Sequence, residues 1–262
     1  MVVSHLDLGG CRLHRGLPDG MLFVLKQYFA PTLTSLNLGG TDLPIAETLS
    51  VLQSLEKLQS LHLGANGLGN DGVMALVPWL ATASHLTIVD LRYNDIGPVG
   101  CESLCKGLRQ QKEFLKLQQE STSNTTTTTT TARTSNRGVA KLYLEGNNVQ
   151  DAGAIALATH YPLAEADSPL KELFLGANHI GPDGAASLAK CLITNKTLSK
   201  LYLEGNHIRV EGADAFTKVL TTECGGNTGL KHLFCDNNDI GKEGSKRLAA
   251  ALNSGTAIGD TF

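Results

Sequence analysis

The sequence predicts an α/β solenoid of about eight strand–turn–helix units, stacked in chain order, whose strands form one parallel sheet. Three observations predict it. Short LxxLxL segments alternate apolar with other residues, the pattern of a strand with one buried face. Beyond each segment the apolar period changes to that of a helix. The pair then recurs at a fixed step. Residues 198–220, LSKLYLEGNHIRVEGADAFTKVL, show one unit: Leu198, Leu201 and Leu203 on the strand, Ile208 turned back inward, then Ala215, Phe216, Val219 and Leu220 at helical spacing. A single unit cannot bury either apolar face, so it must stack on copies of itself.

Further copies begin at Leu58, Leu86, Val139, Leu170 and Leu230, and two weaker ones at Val3 and Leu33. A step of 28 residues separates Leu58 from Leu86 and Leu170 from Leu198. The segments follow LxxLxLxxNxIGxxGxxxLxxxL, which resembles the ribonuclease-inhibitor-like class of leucine-rich repeats, the type found in NOD-like receptors and Ran GTPase-activating proteins. The resemblance implies a leucine-rich repeat solenoid, a right-handed α/β horseshoe arc with its parallel sheet on the concave side. It implies a single leucine-rich repeat domain over residues 1–262. It does not assign a function, because this scaffold hosts many kinds of binding.

The first strand is expected at Leu6–Leu8, with a helix over residues 21–29 stopped by Pro31. The second strand is expected at Leu36–Leu38, and Pro44 opens a helix running through Leu52. Repeats three and four follow without a break. After Leu108 the period fails until Val139, so residues 109–138 read as an inserted loop. Its threonine-rich tract, residues 121–137, is too polar and repetitive to pack and is expected to be disordered. The helix from Pro98 is expected to extend for some turns into the insertion, and the sheet to pass unbroken from the fourth strand to the Val139 strand. Pro162 and Pro169 flank the loop before the sixth repeat, and CGGNTG, residues 224–229, precedes the eighth.

Asn66, Asn94, Asn147, Asn178, Asn206 and Asn238 occupy one equivalent position at the strand end. A buried amide there can bond the backbone of its own turn and of the next repeat, forming a structural ladder. Cys11 and Thr41 stand at this place in the first two repeats, which weakens the ladder there. Residues 67–72, GLGNDG, spell a dinucleotide-type G-x-G-x-x-G, with Asp90 downstream. The same turn recurs in the other repeats with the first glycine replaced, so repetition explains it and no cofactor is expected.

A net charge of −3 and a pI near 6.2 give no general attraction to nucleic acid. The six cysteines contain no C-x-x-C pair, and no metal site is expected; Cys101 and Cys105 share a helix face and read as buried thiols. No leader-like segment opens the sequence and no apolar stretch is long enough to span a bilayer. A cytoplasmic location is expected, with the nucleus as the alternative, and no membrane partner. The oligomeric state is left open.

The outward position at the centre of each LxL reads Asp7, Asn37, His62, Asp90, Tyr143, Phe174, Tyr202, Phe234. Four consecutive aromatics therefore line the concave face of the later repeats. Two residues on, Glu145, Glu204 and Asp236 form an acidic margin. Arg92 is the only arginine expected to project from the concave strands. Exposed aromatics in a row suit a protein-binding strip, and the margin suits a partner with basic residues. The competing reading is that aromatics simply pack well on strands. No serine or cysteine nucleophile shows a matching base–acid pattern, so no enzyme activity is expected. Two readings follow: a non-enzymatic protein–protein interaction scaffold, or, from the resemblance, a GTPase-activating protein for a Ran-like small GTPase.

Overall fold

A computed structural model describes residues 3–18, 20–123, 138–160, 163, 165–221 and 229–254. The chain alternates strand and helix throughout. The strands are β1 (His5–Asp7), β2 (Ser35–Asn37), β3 (Ser60–His62), β4 (Ile88–Asp90), β5 (Lys141–Tyr143), β6 (Glu172–Phe174), β7 (Lys200–Tyr202) and β8 (His232–Phe234). The helices are α1 (Met21–Val24), α2 (Ile45–Leu52), α3 (Gly69–Leu80), α4 (Pro98–Ser123), α5 (Gln150–Thr159), α6 (Pro182–Cys191), α7 (Arg209–Leu220) and α8 (Gly241–Ser254). The strands form one parallel sheet in strict sequence order, β1 to β8. Chain order is the expected result when each unit buries its apolar faces only against its neighbours.

The register holds the leucines in line: Leu142 pairs Leu173, Leu173 pairs Leu201, and Leu201 pairs Leu233. These residues, with Leu144, Leu175 and Leu203, are buried in one continuous core shared with Leu157, Leu188 and Phe216 from the helices. The first helix departs from the expected single helix over residues 21–29. Only Met21–Val24 is α-helical, and Leu25–Phe29 widens into a π turn in which Ala30 N–H bonds Leu25 O at 2.8 Å. Phe23 and Tyr28 on this segment are exposed and meet edge to face.

The insertion leaves the sheet intact, since β4 and β5 pair directly. Its first part is not loop: α4 runs on to Ser123. Buried Gln111 anchors the extension, donating to Ala83 O at 2.8 Å and accepting from Val139 N–H at 3.3 Å. Lys112 adds ion pairs to Glu165 and Asp167 in the loop before β6. Residues 124–137, most of the threonine-rich tract, lie outside the described residues, as does Cys224 in the loop before β8. Among the described residues no helix is long and apolar enough to cross a membrane.

The asparagines reach backward, not forward as expected. Asn206 Nδ2 donates to Leu203 O of its own turn and Leu175 O of the preceding repeat, while its Oδ1 accepts from Asn178 and Ile180 N–H of that repeat. The same pattern holds at Asn66, Asn94 and Asn147. The strand end bends away from its neighbour here, and the amide supplies the bonds that the sheet no longer makes. Asn178 and Asn238 make the equivalent bonds. At the second repeat buried Thr41 donates from Oγ1 to Leu38 O, and the exposed Cys11 stands at the first.

Two further side chains tie repeats together. Asn70 Oδ1 accepts from Gly97 and Gly100 N–H at the start of α4, both at 2.9 Å. Asp151 Oδ1 does the same for Gly181 and Gly184 N–H at the start of α6, at 2.6 and 2.9 Å. Each is an N-cap supplied by the preceding repeat. GLGNDG thereby has a structural role, in which Asn70 caps a helix while Gly67 and Gly69 hold φ of +60° and +58°.

Candidate functional site: the aromatic strip on the strand face

The central outward side chains stand opposite one another because the register aligns them, Asp90 with Tyr143, Tyr143 with Phe174, Phe174 with Tyr202, and Tyr202 with Phe234. The four rings stack almost parallel, at interplanar angles of 14°, 10° and 5°, with centroids 4.2, 4.1 and 4.4 Å apart. These separations fall below the ~4.8 Å between strands. Side chains on the inner side of a curved sheet converge, so the spacing itself reports concave curvature. All four rings are half-buried, because each covers its neighbour's face. The surface they offer is therefore a ridge of ring edges, which carry the positive side of the ring quadrupole, and two tyrosine hydroxyls.

Arg92 caps the stack. Its guanidinium carbon lies 5.3 Å from the Tyr143 ring centroid. It does not project freely, as the sequence led us to expect: Nε donates to Asp90 Oδ1 at 3.0 Å and Nη2 to Asp90 Oδ2 at 2.7 Å. Burial pushes the Asp90 carboxyl up, but hydrogen bonds from His62 and Arg92 outweigh it and hold the group well below the usual carboxylate range. At the other end, His232 lies beside Phe234 with ring centroids 6.1 Å apart.

The two margins of the ridge differ in charge. On one side Glu172 is shared by Lys141 at 3.2 Å and Lys200 at 3.6 Å, so the carboxylate is compensated and one positive charge is left over. On the other side Glu145, Glu204 and Asp236 form no ion pair among the described residues. Glu145 Oε2 is buried without a hydrogen-bond partner. Burial pushes the Glu145 and Glu204 carboxyls above the usual glutamate range; a backbone hydrogen bond at each, and the Arg92 charge at Glu145, offset this in part, while a neighbouring carboxylate adds to it.

One arrangement was not expected. Ser60 and His62 sit two apart on one strand face, and Asp90 stands opposite His62. Ser60 Oγ lies 2.8 Å from His62 Nε2, and His62 Nδ1 lies 3.3 Å from Asp90 Oδ2. The order is that of a nucleophile, base and acid, which reading each repeat separately could not reveal. The surroundings do not complete it: Arg92 occupies both Asp90 oxygens, and the Ser60 N–H is committed to Thr34 O. His179 and His207, equivalent turn residues, stack at 5.8 Å. The described cysteines are free, and burial pushes the Cys191 thiol up to about 12 and Cys235 up to about 11, which disfavours the thiolate form of both.

Comparison with known proteins agrees with the repeats. A family model described as Leucine Rich repeat matches residues 54–77, 82–105, 136–158, 166–189 and 194–216. The ribonuclease inhibitor of Sus scrofa is 30% identical over 235 residues, 76% of this chain and 50% of its own. That of Mus musculus is 30% identical over 195 residues, 62% of this chain and 42% of its own. The chain carries leucine-rich repeats and is similar to the ribonuclease inhibitors. It spans about half the length of the curated relatives it matches. A solved structure titled Leiomodin-1 Actin-Binding Site 2 aligns with a TM-score of 0.49 at 18% identity, over 71% of this chain and 88% of its own.

Proposed function

We propose that this chain is a non-enzymatic protein–protein interaction scaffold that holds a protein partner on its concave strand face, along Tyr143, Phe174, Tyr202 and Phe234. The observation that carries the reading is the asymmetry of the ridge. On one margin Glu172 is paired with Lys141 and Lys200, and on the other Glu145, Glu204 and Asp236 form no ion pair among the described residues, with Arg92 acting on Glu145 only through space. Keeping the half-buried Glu145 and Glu204 carboxylates without an ion pair costs stability, and that cost is recovered when a partner brings basic residues. The relatives from pig and mouse are named for inhibiting a ribonuclease, itself a protein, which fits a role of this kind.

The alternative reading, a GTPase-activating protein for a Ran-like small GTPase, loses its best candidate residue. Arg92 would have to break two hydrogen bonds to Asp90 before reaching a phosphate. A stimulated GTPase assay separates the two readings. For the scaffold, capture of a partner by affinity pulldown and mass spectrometry is followed by titration with the purified partner. Tyr202→Ala is expected to weaken binding by roughly 2 kcal/mol. Equal binding by both forms moves the site off this strip.

A further inference from the structure

We infer that Lys141, Lys171, Lys200 and Lys231, one in or just ahead of each of the last four strands, receive an acidic segment of the protein partner and so fix which way round it lies on the ridge. The inference rests on the concave-face reading above and adds the chemistry of the partner's second contact. Two positions precede the buried leucine or valine at the centre of each strand. In the first four repeats they hold serine, threonine, glutamine, isoleucine and one histidine, with no lysine, arginine, aspartate or glutamate. In the last four they hold the four lysines, Glu172 and His232 among them. Burial of the strands does not ask for this change, because Leu36, Leu61, Leu142 and Leu201 are buried alike. The lysines begin on β5, where the aromatic rings begin, so charge and rings mark out one surface.

Lys141 and Lys200 stand two residues before Tyr143 and Tyr202, on the ridge's own face of β5 and β7. Both reach the same oxygen of Glu172 on the strand between them, so the two ammonium groups converge over β6. Their side chains remain 39% and 37% exposed, against 15% for Glu172. The chain thus holds the pair in place and leaves it open to a second carboxylate. Lys171 and Lys231 are exposed and form no ion pair among the described residues. A carboxylate-rich polypeptide fits this margin better than nucleic acid does. The four rings cover one another's faces, so none between them is free to stack a base. Glu145, Glu204 and Asp236 across the ridge would also repel a phosphate backbone. Four residues separate Lys141 from Glu145, at most about 13 Å of extended chain. A partner with acidic residues on one side of the ridge and basic residues on the other gains both contacts in one orientation and loses both when reversed.

The test uses the full chain and a fluorescein-labelled hexaglutamate peptide, read by fluorescence anisotropy at low salt. Labelled hexaglutamine is the neutral control, and labelled oligothymidylate the control for a general polyanion site. Hexaglutamate is expected to bind saturably and to be released as salt rises, while hexaglutamine does not bind and oligothymidylate binds less tightly. Lys141→Gln combined with Lys200→Gln is expected to weaken hexaglutamate about tenfold. Lys190→Gln combined with Lys218→Gln removes the same charge from the exposed side of α6 and α7 and is expected to change little. Glu172→Gln removes the competing carboxylate and is expected to tighten binding, which a purely structural role for Glu172 would not produce. No hexaglutamate binding, equal binding of oligothymidylate, or equal loss from both lysine pairs overturns the inference. If hexaglutamate fails while Tyr202→Ala still releases the protein partner, the lysine margin is wrong and the concave-face reading stands. If hexaglutamate responds to the variants as expected while Tyr202→Ala releases nothing, the lysine margin stands and the aromatic ridge is not the partner's contact.

Discussion

Replacing Asn178 by alanine probes how the arc is held. Asn178 is fully buried, and its side chain makes three bonds. Nδ2 donates to Leu144 O at 2.8 Å and Gly176 O at 3.0 Å, and Oδ1 accepts from Val149 N–H at 3.3 Å. The three losses are unequal. Leu144 O keeps the Asn147 amide and Gly176 O keeps the Gly146 N–H, so each carbonyl loses only its second partner. Val149 N–H, at the start of α5, is left with nothing in its place. One orphaned buried N–H costs about 1–3 kcal/mol and each lost second bond a fraction of that, so Asn178→Ala should cost about 2–3 kcal/mol. Urea titration followed by circular dichroism measures it, provided the slope matches wild type, since a repeat array can lose cooperativity. Asn178→Asp sharpens the result. It retains an acceptor for Val149 but turns a buried negative charge toward two carbonyl oxygens, so it should be at least as damaging as alanine. A loss below about 0.5 kcal/mol for both variants would refute the ladder, since surface substitutions already reach that size.

Three other outcomes follow from the geometry. Glu145 is held above its usual pKa by burial, so the folded state binds its proton more tightly than the unfolded chain; stability should fall as pH rises from the ordinary glutamate range through the folded value, with the full penalty above it. Glu145→Gln should accordingly raise the urea midpoint at neutral pH and lose that advantage in acid, whereas a midpoint lowered at neutral pH would contradict the burial argument. Asp151→Ala removes the cap that one repeat places on α6 and should cost about 1–2 kcal/mol, while Asp151→Asn recovers most of it; hydrogen exchange at Gly181 and Gly184 reports the local opening. Ser60 should remain unlabelled by a fluorophosphonate probe under conditions that label a serine hydrolase; labelling lost in Ser60→Ala would reverse the non-enzymatic reading.

The fold was legible because burial repeats. Leu201 and Leu203 announce a strand face, Phe216 and Leu220 a helix face, and a constant step removes the usual doubt about which element pairs with which. The direction of the asparagine bonds was not legible, since a side chain's reach backward or forward depends on the bend at the strand end. The caps from Asn70 and Asp151 were also hidden: each acts on the following repeat, so no local N-cap pattern appears in the sequence. For the candidate site, the alignment of Tyr143 with Phe174, Tyr202 and Phe234 could be read from the period. Its consequence could not. Curvature brings the rings into face contact, which leaves only edges outward and turns a strip of four exposed aromatics into half-buried ones. Arg92 was misjudged for a related reason, because its Asp90 partner lies two residues away on the same side of its own strand.

Site-specific photo-crosslinking reads the proposed contact surface most directly. A benzophenone side chain placed at Tyr202 on the inner wall, and in a second protein at Ile155 on α5, is irradiated with the captured partner. The account predicts an adduct from position 202 and none from position 155. An adduct from 155 alone would mean that the partner grips the helices and that the aromatic ridge is only packing.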